Sequence, residues 1–440
     1  MHASARVLLF SDPTNTGDLA GKLEQRGYQP LPAHSREDAL RIITGRYPDI
    51  AIVNAADGEG MRFRHDLNDL RPDGGIPTIV IGATEKLRED DPQVEFLPAA
   101  FRDSELFSRL KVLARLVTMQ GELALRSETS QLYGLEAPAQ AVAPSEIIDA
   151  KILVIAGEES RRDAISKMIA PLATADGVKR PHEGMERLLQ DRFDAVIAVG
   201  WDDDGELLDF CRQLRNHANL FNMPLLVLND GSDAAEPDKV YEAGASEVLS
   251  FGAEPDRLLP RLHHLVRQQR YRQNMQDVYR ESRHYAATDS LTGLFGHGYL
   301  HTHLQKQILE CRSREKDLTV GFFDIADMTG FNAQYGYVAG DRLLRQIGGA
   351  IGGFVRAEDL PARFGADKFC IVLPDTELAS ADPVLYRIAS VINMTEFAIM
   401  DITEPVKIHL QTGSAMLRPG DSAESLVARA RSGIPGRSSG

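Results

Sequence analysis

At 440 residues, 43 % of them hydrophobic, the chain has length and apolar material for about three packed domains of ~150 residues each. Its 64 acidic against 49 basic residues leave a net charge of −15 at pH 7. That balance argues against a nucleic-acid surface, which needs a concentrated basic face, and favours protein or small-ligand partners.

The three cysteines, Cys211, Cys311 and Cys370, fit no metal-ligand spacing and cannot all pair, which suits buried thiols in a reducing compartment. The opening MHASARVLLF lacks a signal-peptide core, and no window approaches the ~18 apolar residues of a membrane span. A cytoplasmic chain without a membrane span is expected.

In chain order, the first feature is an internal duplication at a spacing of about 145 residues. Arg6-Val-Leu-Leu-Phe10 answers Lys151-Ile-Leu-Val-Ile155; Pro48-Asp-Ile-Ala-Ile-Val53 answers Phe193-Asp-Ala-Val-Ile-Ala198; Pro77-Thr-Ile-Val-Ile81 answers Pro224-Leu-Leu-Val-Leu228. Short, continuously apolar runs of this kind are parallel strands covered on both faces, and the intervals between them are long enough for crossover helices. Two doubly wound α/β domains are predicted, over 1–130 and 148–272. The Ala/Pro-rich segment 131–147 reads as a linker about which they can reorient. A helix is expected from about Leu106 to Leu123, whose overhang is either a core helix or a surface for a neighbour. A long polar helix is expected from Leu265 to His284, with residues 273–287 linking to a third domain.

Both repeats resemble the flavodoxin-like receiver domain of response regulators. The resemblance implies a phosphoryl-accepting Asp at the end of the third strand, beside a magnesium-binding acidic pair, a hydroxyl residue and a Lys. In the first repeat Ser11 and Asp12 fill the acidic pair, Asn54 stands at the acceptor, Gly82 at the hydroxyl and Ala99 at the Lys. An amide forms no acyl phosphate. In the second repeat Ala156 and Gly157, Val199, Asn229 and Phe251 occupy those places, and no carboxylate remains there for a hard cation. Docking or dimerisation modules are expected rather than phosphorylation switches.

The last third, 288–440, carries Asp289-Ser-Leu-Thr-Gly-Leu294, then Gly321-Phe-Phe-Asp-Ile-Ala-Asp-Met-Thr-Gly-Phe-Asn332, then Gly336-Tyr-Val-Ala-Gly-Asp-Arg-Leu-Leu344. In order and spacing these resemble the GGDEF domain of diguanylate cyclases, an α/β fold with a nucleotidyl-cyclase-like, ferredoxin-like core. The resemblance implies a magnesium-holding role for Asp324 and a guanine-reading role for Asn332 and Asp341, chemistry that an amide and a carboxylate can supply. Three departures speak against the cyclase. Thr329 replaces a phosphate-contacting Lys, with Ala326 and Met328 beside it. The signature hairpin is Arg363-Phe-Gly-Ala-Asp-Lys-Phe369, so Gly365 and Asp367 are kept, Ala366 adds a methyl group beside the phosphates, and Lys368 reverses a charge at the metal. The tail after Arg431 lacks the family's last Lys. Asp324, Asn332, Asp341 and Gly365 to Lys368 therefore read as a vestigial GTP site, with no catalytic residue, no required cofactor, and no use for Mg2+.

Arg356-Ala-Glu-Asp359 lies five residues before the hairpin, at the family's inhibitory R-x-x-D site, and ungapped counting adds Arg387. Two guanidinium groups and a carboxylate suit a bis-phosphate, bis-guanine ligand. The resemblance implies cyclic di-GMP; the bland alternative is a surface ion pair between Arg356 and Asp359 and a solvated Arg387.

The whole layout resembles the PleD class of receiver-receiver-GGDEF response regulators, and most closely its catalytically degenerate branch. That implies a homodimeric c-di-GMP effector at a cell pole, which recruits RcdA-like adaptors so that CtrA reaches the ClpXP protease. A ligand-independent dimeric scaffold, a weakly active cyclase, and GTP held at Asn332 and Asp341 as an allosteric ligand are the competing expectations.

Overall fold

A computed structural model describes residues 5–10, 13–55, 63, 67, 75–82, 91–135, 143–144, 146–199, 204–217, 220–229, 236–252, 255–281, 287–400 and 402–435. They divide into two compact units, Ala5–Val117 with Gln140–Met275, and Thr118–Ala139 with Gln276–Gly440.

The first unit holds two sheets. β1 (Arg6–Phe10), β2 (Gln29–Ala33), β3 (Ile50–Asn54), β4 (Thr78–Ile81) and β5 (Val94–Leu97) pair in parallel in the order β2-β1-β3-β4-β5. β6 (Ala150–Ile155), β7 (Ala173–Val178), β8 (Ala195–Val199), β9 (Leu225–Asn229) and β10 (Glu247–Ser250) repeat that order. This is the flavodoxin-like arrangement. β1, β8 and most of β9 are buried along their length, as their unbroken apolar runs require for strands covered by helices on both faces.

The two sheets meet through charge. Glu95 of β5 and Glu247 of β10 stand at equivalent places in the two repeats, and Arg109 and Arg261 stand at equivalent places on the helices that follow. Arg109 lies 3.1 Å from Glu95 and 3.1 Å from Glu247, Arg261 lies 2.7 Å from Glu95, and Arg261 also bonds Glu247. His264 and Gln268 complete the ring around Glu95. Burial works against the Glu95 carboxylate, but Arg261 and His264 hold its pKa well below the ordinary value.

The second unit holds β11 (Leu318–Ile325), β12 (Leu360–Arg363), β13 (Lys368–Pro374) and β14 (Leu410–Met416), antiparallel in the order β12-β13-β11-β14. Helices precede β12 and β14, so the order and connections are those of a ferredoxin-like βαββαβ core. One face of the sheet packs on helices Tyr337–Phe354 and Leu378–Met394 through residues such as Phe323, Leu343, Ile371 and Leu385. The other packs on His297–Arg314 and Ala423–Ser432 through Phe322, Leu304, Val372 and Leu426.

Two expected helices are longer than the sequence indicated. The one expected at Leu106–Leu123 runs Asp103–Leu132, so the expected linker at 131 begins inside it; residues 136–142 of that linker lie outside the described ones. One face of its overhang is buried: Glu122, Arg126, Thr129 and Ser130 are each at most 3 % exposed. The one expected at Leu265–His284 runs Pro255–Glu281, because Leu258 and Leu262 pack under the second sheet and begin the helix earlier. A boundary at 272 thus falls within a continuous helix.

Candidate functional sites

The receiver positions come first. Asn54 ends β3, where it lines a cavity of about 250 Å³ with Phe10, Lys22, Ile81 and Ala99. Lys22 pairs there with Asp18 at 2.9 Å and Asp103 at 3.2 Å. Ser11 and Asp12 lie outside the described residues. In the second repeat Arg162 donates to the carbonyls of Ala156, at 2.6 Å, and Gly157, at 3.4 Å, while Arg161 covers the ring of Phe251. Val199 is buried at the end of β8. In the second repeat, cationic side chains thus stand among the described residues at the strand end where a magnesium ion would need carboxylates.

In the third domain, β11 carries Asp324 into the sheet directly opposite Lys368 of β13. The Lys368 ammonium lies 2.5 Å from Asp367 Oδ1 and 3.7 Å from Asp324 Oδ1. It therefore occupies the electrostatic position between the two carboxylates that a divalent cation would take. Asp324 is only 5 % exposed, so water screens this arrangement poorly. Asp324 and Asp367 thus share the Lys368 ammonium.

The hairpin is closed by Arg363. Its guanidinium donates to the carbonyls of Gly365, at 3.0 Å, and Ala366, at 2.8 Å, and pairs with Asp289 at 3.1 Å. Partial burial works against the Asp289 carboxylate, yet bonds from Thr292 and Arg363 hold its pKa below the ordinary value. The opening Asp-x-Leu-Thr-Gly-Leu signature is thereby clamped to the hairpin, a link that the sequence did not reveal.

The structure places Asn332 and Asp341, the residues at the positions that resemble the family's guanine contacts, on adjoining helices. Asn332 sits on helix Met328–Tyr335, and Gly336, at φ 84°, turns the chain into helix Tyr337–Phe354. A Cβ on Gly340 would stand 2.0 Å from Asn332 Oδ1, so a side chain there would push the Asn332 amide out of its place. Asp341 is the next residue, exposed beside that contact.

Arg356 and Asp359 form a tight turn between helix Tyr337–Phe354 and β12. Asp359 Oδ2 accepts from the Arg356 N–H at 2.7 Å, and the Asp359 N–H donates to the Arg356 carbonyl at 3.2 Å. Asp359 is only 3 % exposed, so its carboxylate is shielded from bulk water. Both residues line a small cavity whose opposite wall is Asp375, Thr376, Ser380 and Val384. Arg387 does not line the cavity itself. It lies one helical turn beyond Val384 on the side that carries Ser380 and Val384.

Sequence reasoning missed the residues beneath this turn. Arg126, 1 % exposed, donates to the carbonyls of Glu358, at 3.1 Å, and Asp359, at 2.9 Å, and pairs with Glu122 at 2.7 Å. Glu122 in turn meets His303 at 2.9 Å and Gln307 at 2.7 Å. Burial opposes the Glu122 charge, but His303 and Arg126 keep its pKa below the ordinary value.

Comparison with known proteins agrees with this layout. Residues 286–434 match the family described as "Diguanylate cyclase, GGDEF domain". The chain is 25 % identical over 444 residues to response regulator PleD of Caulobacter vibrioides, covering 98 % of this chain and 96 % of that protein. It is 29 % identical over 150 residues to diguanylate cyclase DgcP of Pseudomonas aeruginosa, covering 34 % of this chain and 22 % of that protein. Among solved structures, the GGDEF domain of DgcB from Caulobacter crescentus in complex with c-di-GMP matches at 24 % identity and a TM-score of 0.33, covering 34 % of this chain and 86 % of that one. The FimX GGDEF domain from Pseudomonas aeruginosa matches at 20 % identity and a TM-score of 0.32, covering 33 % and 90 %. The chain is similar to the response regulator PleD along nearly its whole length, with two receiver-like α/β domains followed by a segment that matches the GGDEF domain.

Proposed function

We propose that this chain is a cyclic di-GMP receptor whose GGDEF domain no longer makes the nucleotide. The reading rests on a contrast within one domain. At the cyclase centre the Lys368 ammonium lies between Asp324 and Asp367, where triphosphate chemistry needs a metal ion. At the R-x-x-D turn, Arg356 and Asp359 are held together by two hydrogen bonds beside a cavity, with Arg387 on the adjoining helix face. A pre-organised turn and carboxylate lower the cost of ordering on binding a guanine edge, and the Arg356 guanidinium beside them is a bidentate donor for phosphate.

The departures at the receiver sites support a signal that arrives as ligand rather than as phosphate. By its resemblance to PopA, a catalytically degenerate member of the PleD class, the chain acts as a homodimer at a cell pole. There it recruits an RcdA-like adaptor for ClpXP-linked proteolysis of CtrA.

Two assays on the purified chain test the reading. Incubation with GTP and magnesium is expected to yield no cyclic di-GMP by chromatography, and addition of cyclic di-GMP is expected to raise the melting temperature of the native chain but not of Arg356→Ala. Product formation, or a ligand-induced rise that survives in Arg356→Ala, would contradict it.

A further inference from the structure

The cavity at the R-x-x-D turn has two walls, and one helical segment is bonded to both. On the turn side, the buried Arg126 guanidinium donates to the carbonyls of Glu358 and Asp359, the last two residues of Arg356-Ala-Glu-Asp359. On the opposite side, Thr118 hydrogen-bonds the carboxylate of Asp375, which lines the cavity and stands at φ 47°, in the left-handed region. Thr118 and Arg126 belong to the same segment, Thr118–Leu132, the last part of helix Asp103–Leu132. That segment is seated on the domain by Glu122, which meets His303 and Gln307, by Tyr279 bonding the Met119 carbonyl, and by Arg126 over the Tyr279 ring at 4.6 Å.

None of these contacts is needed to build the sheet. Their common geometric consequence is that the seated segment braces both walls of the cavity, adding to the turn's own two bonds and to the Lys316–Asp375 pair at 3.2 Å.

We infer that Thr118–Leu132 is the output element of the R-x-x-D site: ligand occupancy and seating of this segment favour one another, with Arg126 as the positioning residue that links them. The inference rests on the receptor reading above and adds how an occupied site is reported to the rest of the chain. The physical basis is reciprocity. If the seated segment raises ligand affinity by holding the turn in its binding conformation, then bound ligand must strengthen seating by the same factor. Arg126 suits the task because its planar fork satisfies two carbonyls and a carboxylate at once, which a single ammonium cannot do.

The test uses the full chain, cyclic di-GMP, and the paired substitution Glu122→Gln with Arg126→Met, which avoids stranding a buried charge. Two quantities are measured: ligand affinity by titration calorimetry, and amide hydrogen exchange of residues 118–132 with and without ligand. In the native chain, ligand is expected to slow exchange across 118–132. In the paired variant, affinity is expected to fall about tenfold and the slowing to disappear. An arginine that merely stabilised the fold would not couple exchange in the segment to ligand.

Native binding with an unchanged affinity in the variant, or exchange in 118–132 that ignores ligand, would overturn the inference and leave the receptor reading standing. Absence of binding by the native chain would instead sink the receptor reading, and the inference with it. Should the paired variant fail to fold, Arg126→Lys keeps the charge opposite Glu122 and is expected to weaken binding severalfold; unchanged affinity there would equally overturn the inference.

Discussion

Lys368 stands across the sheet from Asp324, in register, with its ammonium 3.7 Å from one carboxylate oxygen of Asp324 and 2.5 Å from Asp367. One side chain thus supplies the positive charge that would otherwise come from a bound metal ion. It does so from a fixed covalent tether, so a divalent cation must displace or repel it to enter.

Charge reversal at this residue should reopen the metal site. Lys368→Glu is expected to bind Mn2+ measurably, by titration calorimetry or by loss of the free-ion electron paramagnetic resonance signal, where the native chain does not. Cyclase activity should remain absent in that variant, because Ala366 and Thr329 are unchanged. Equal Mn2+ binding by both proteins would show that Lys368 is not what excludes the ion.

Neither receiver-like domain should take up phosphate. Asn54 ends β3 and Val199 ends β8, and neither side chain forms an acyl phosphate. Incubation with acetyl phosphate and magnesium is expected to leave the intact mass and the sedimentation coefficient unchanged. A mass increase of one phosphoryl group that persists in Asn54→Ala would mean that another acceptor had been overlooked.

The buried charges around Glu95 should make the first unit sensitive to acid. The folded-state pKa of Glu95 lies well below its ordinary value of 4.5, so its contribution to stability is complete above that value. It is lost as pH falls through the depressed folded value. Glu95→Gln leaves Arg109 and Arg261 short of a counter-charge and is expected to cost about 3 kcal/mol near pH 7. The gap between native and variant chains should narrow steadily below about pH 4, measured by urea unfolding at several pH values. A gap independent of pH would contradict the assignment.

The thiols should be nearly inert. All three are buried; burial pushes Cys211 up to about 11 and Cys311 up to about 12, and raises Cys370 as well. Since the thiolate is the reactive form, labelling at pH 8 is expected to be slow in the native chain and to reach all three thiols rapidly in guanidinium. Fast labelling of the folded protein would show that one of them is reached by solvent.

The parts of this architecture legible in the sequence were those written in unbroken or periodic apolar runs. β1 and β8 are such runs, and their recurrence was enough to predict two doubly wound sheets. The R-x-x-D turn and the Lys368 substitution were visible because the hairpin fixes their register. The buried face of the overhang of helix Asp103–Leu132 was not visible. Glu122 and Arg126 are four residues apart on a helix, a spacing that ordinarily marks a solvated ion pair, and only the fold shows them at 3 % and 1 % exposure beneath the turn. The Glu95 ring was hidden for the same reason: buried charges leave no apolar signature. Arg387 was placed by counting alone, which gave its helix face but not its distance from the cavity.

The most direct test of the receptor account is titration calorimetry of cyclic di-GMP into the purified full chain and into Arg356→Ala and Asp359→Ala. The account predicts saturable binding at micromolar concentration or tighter by the native chain, and its loss in both variants. No binding by the native chain, or binding that both variants retain, would contradict it.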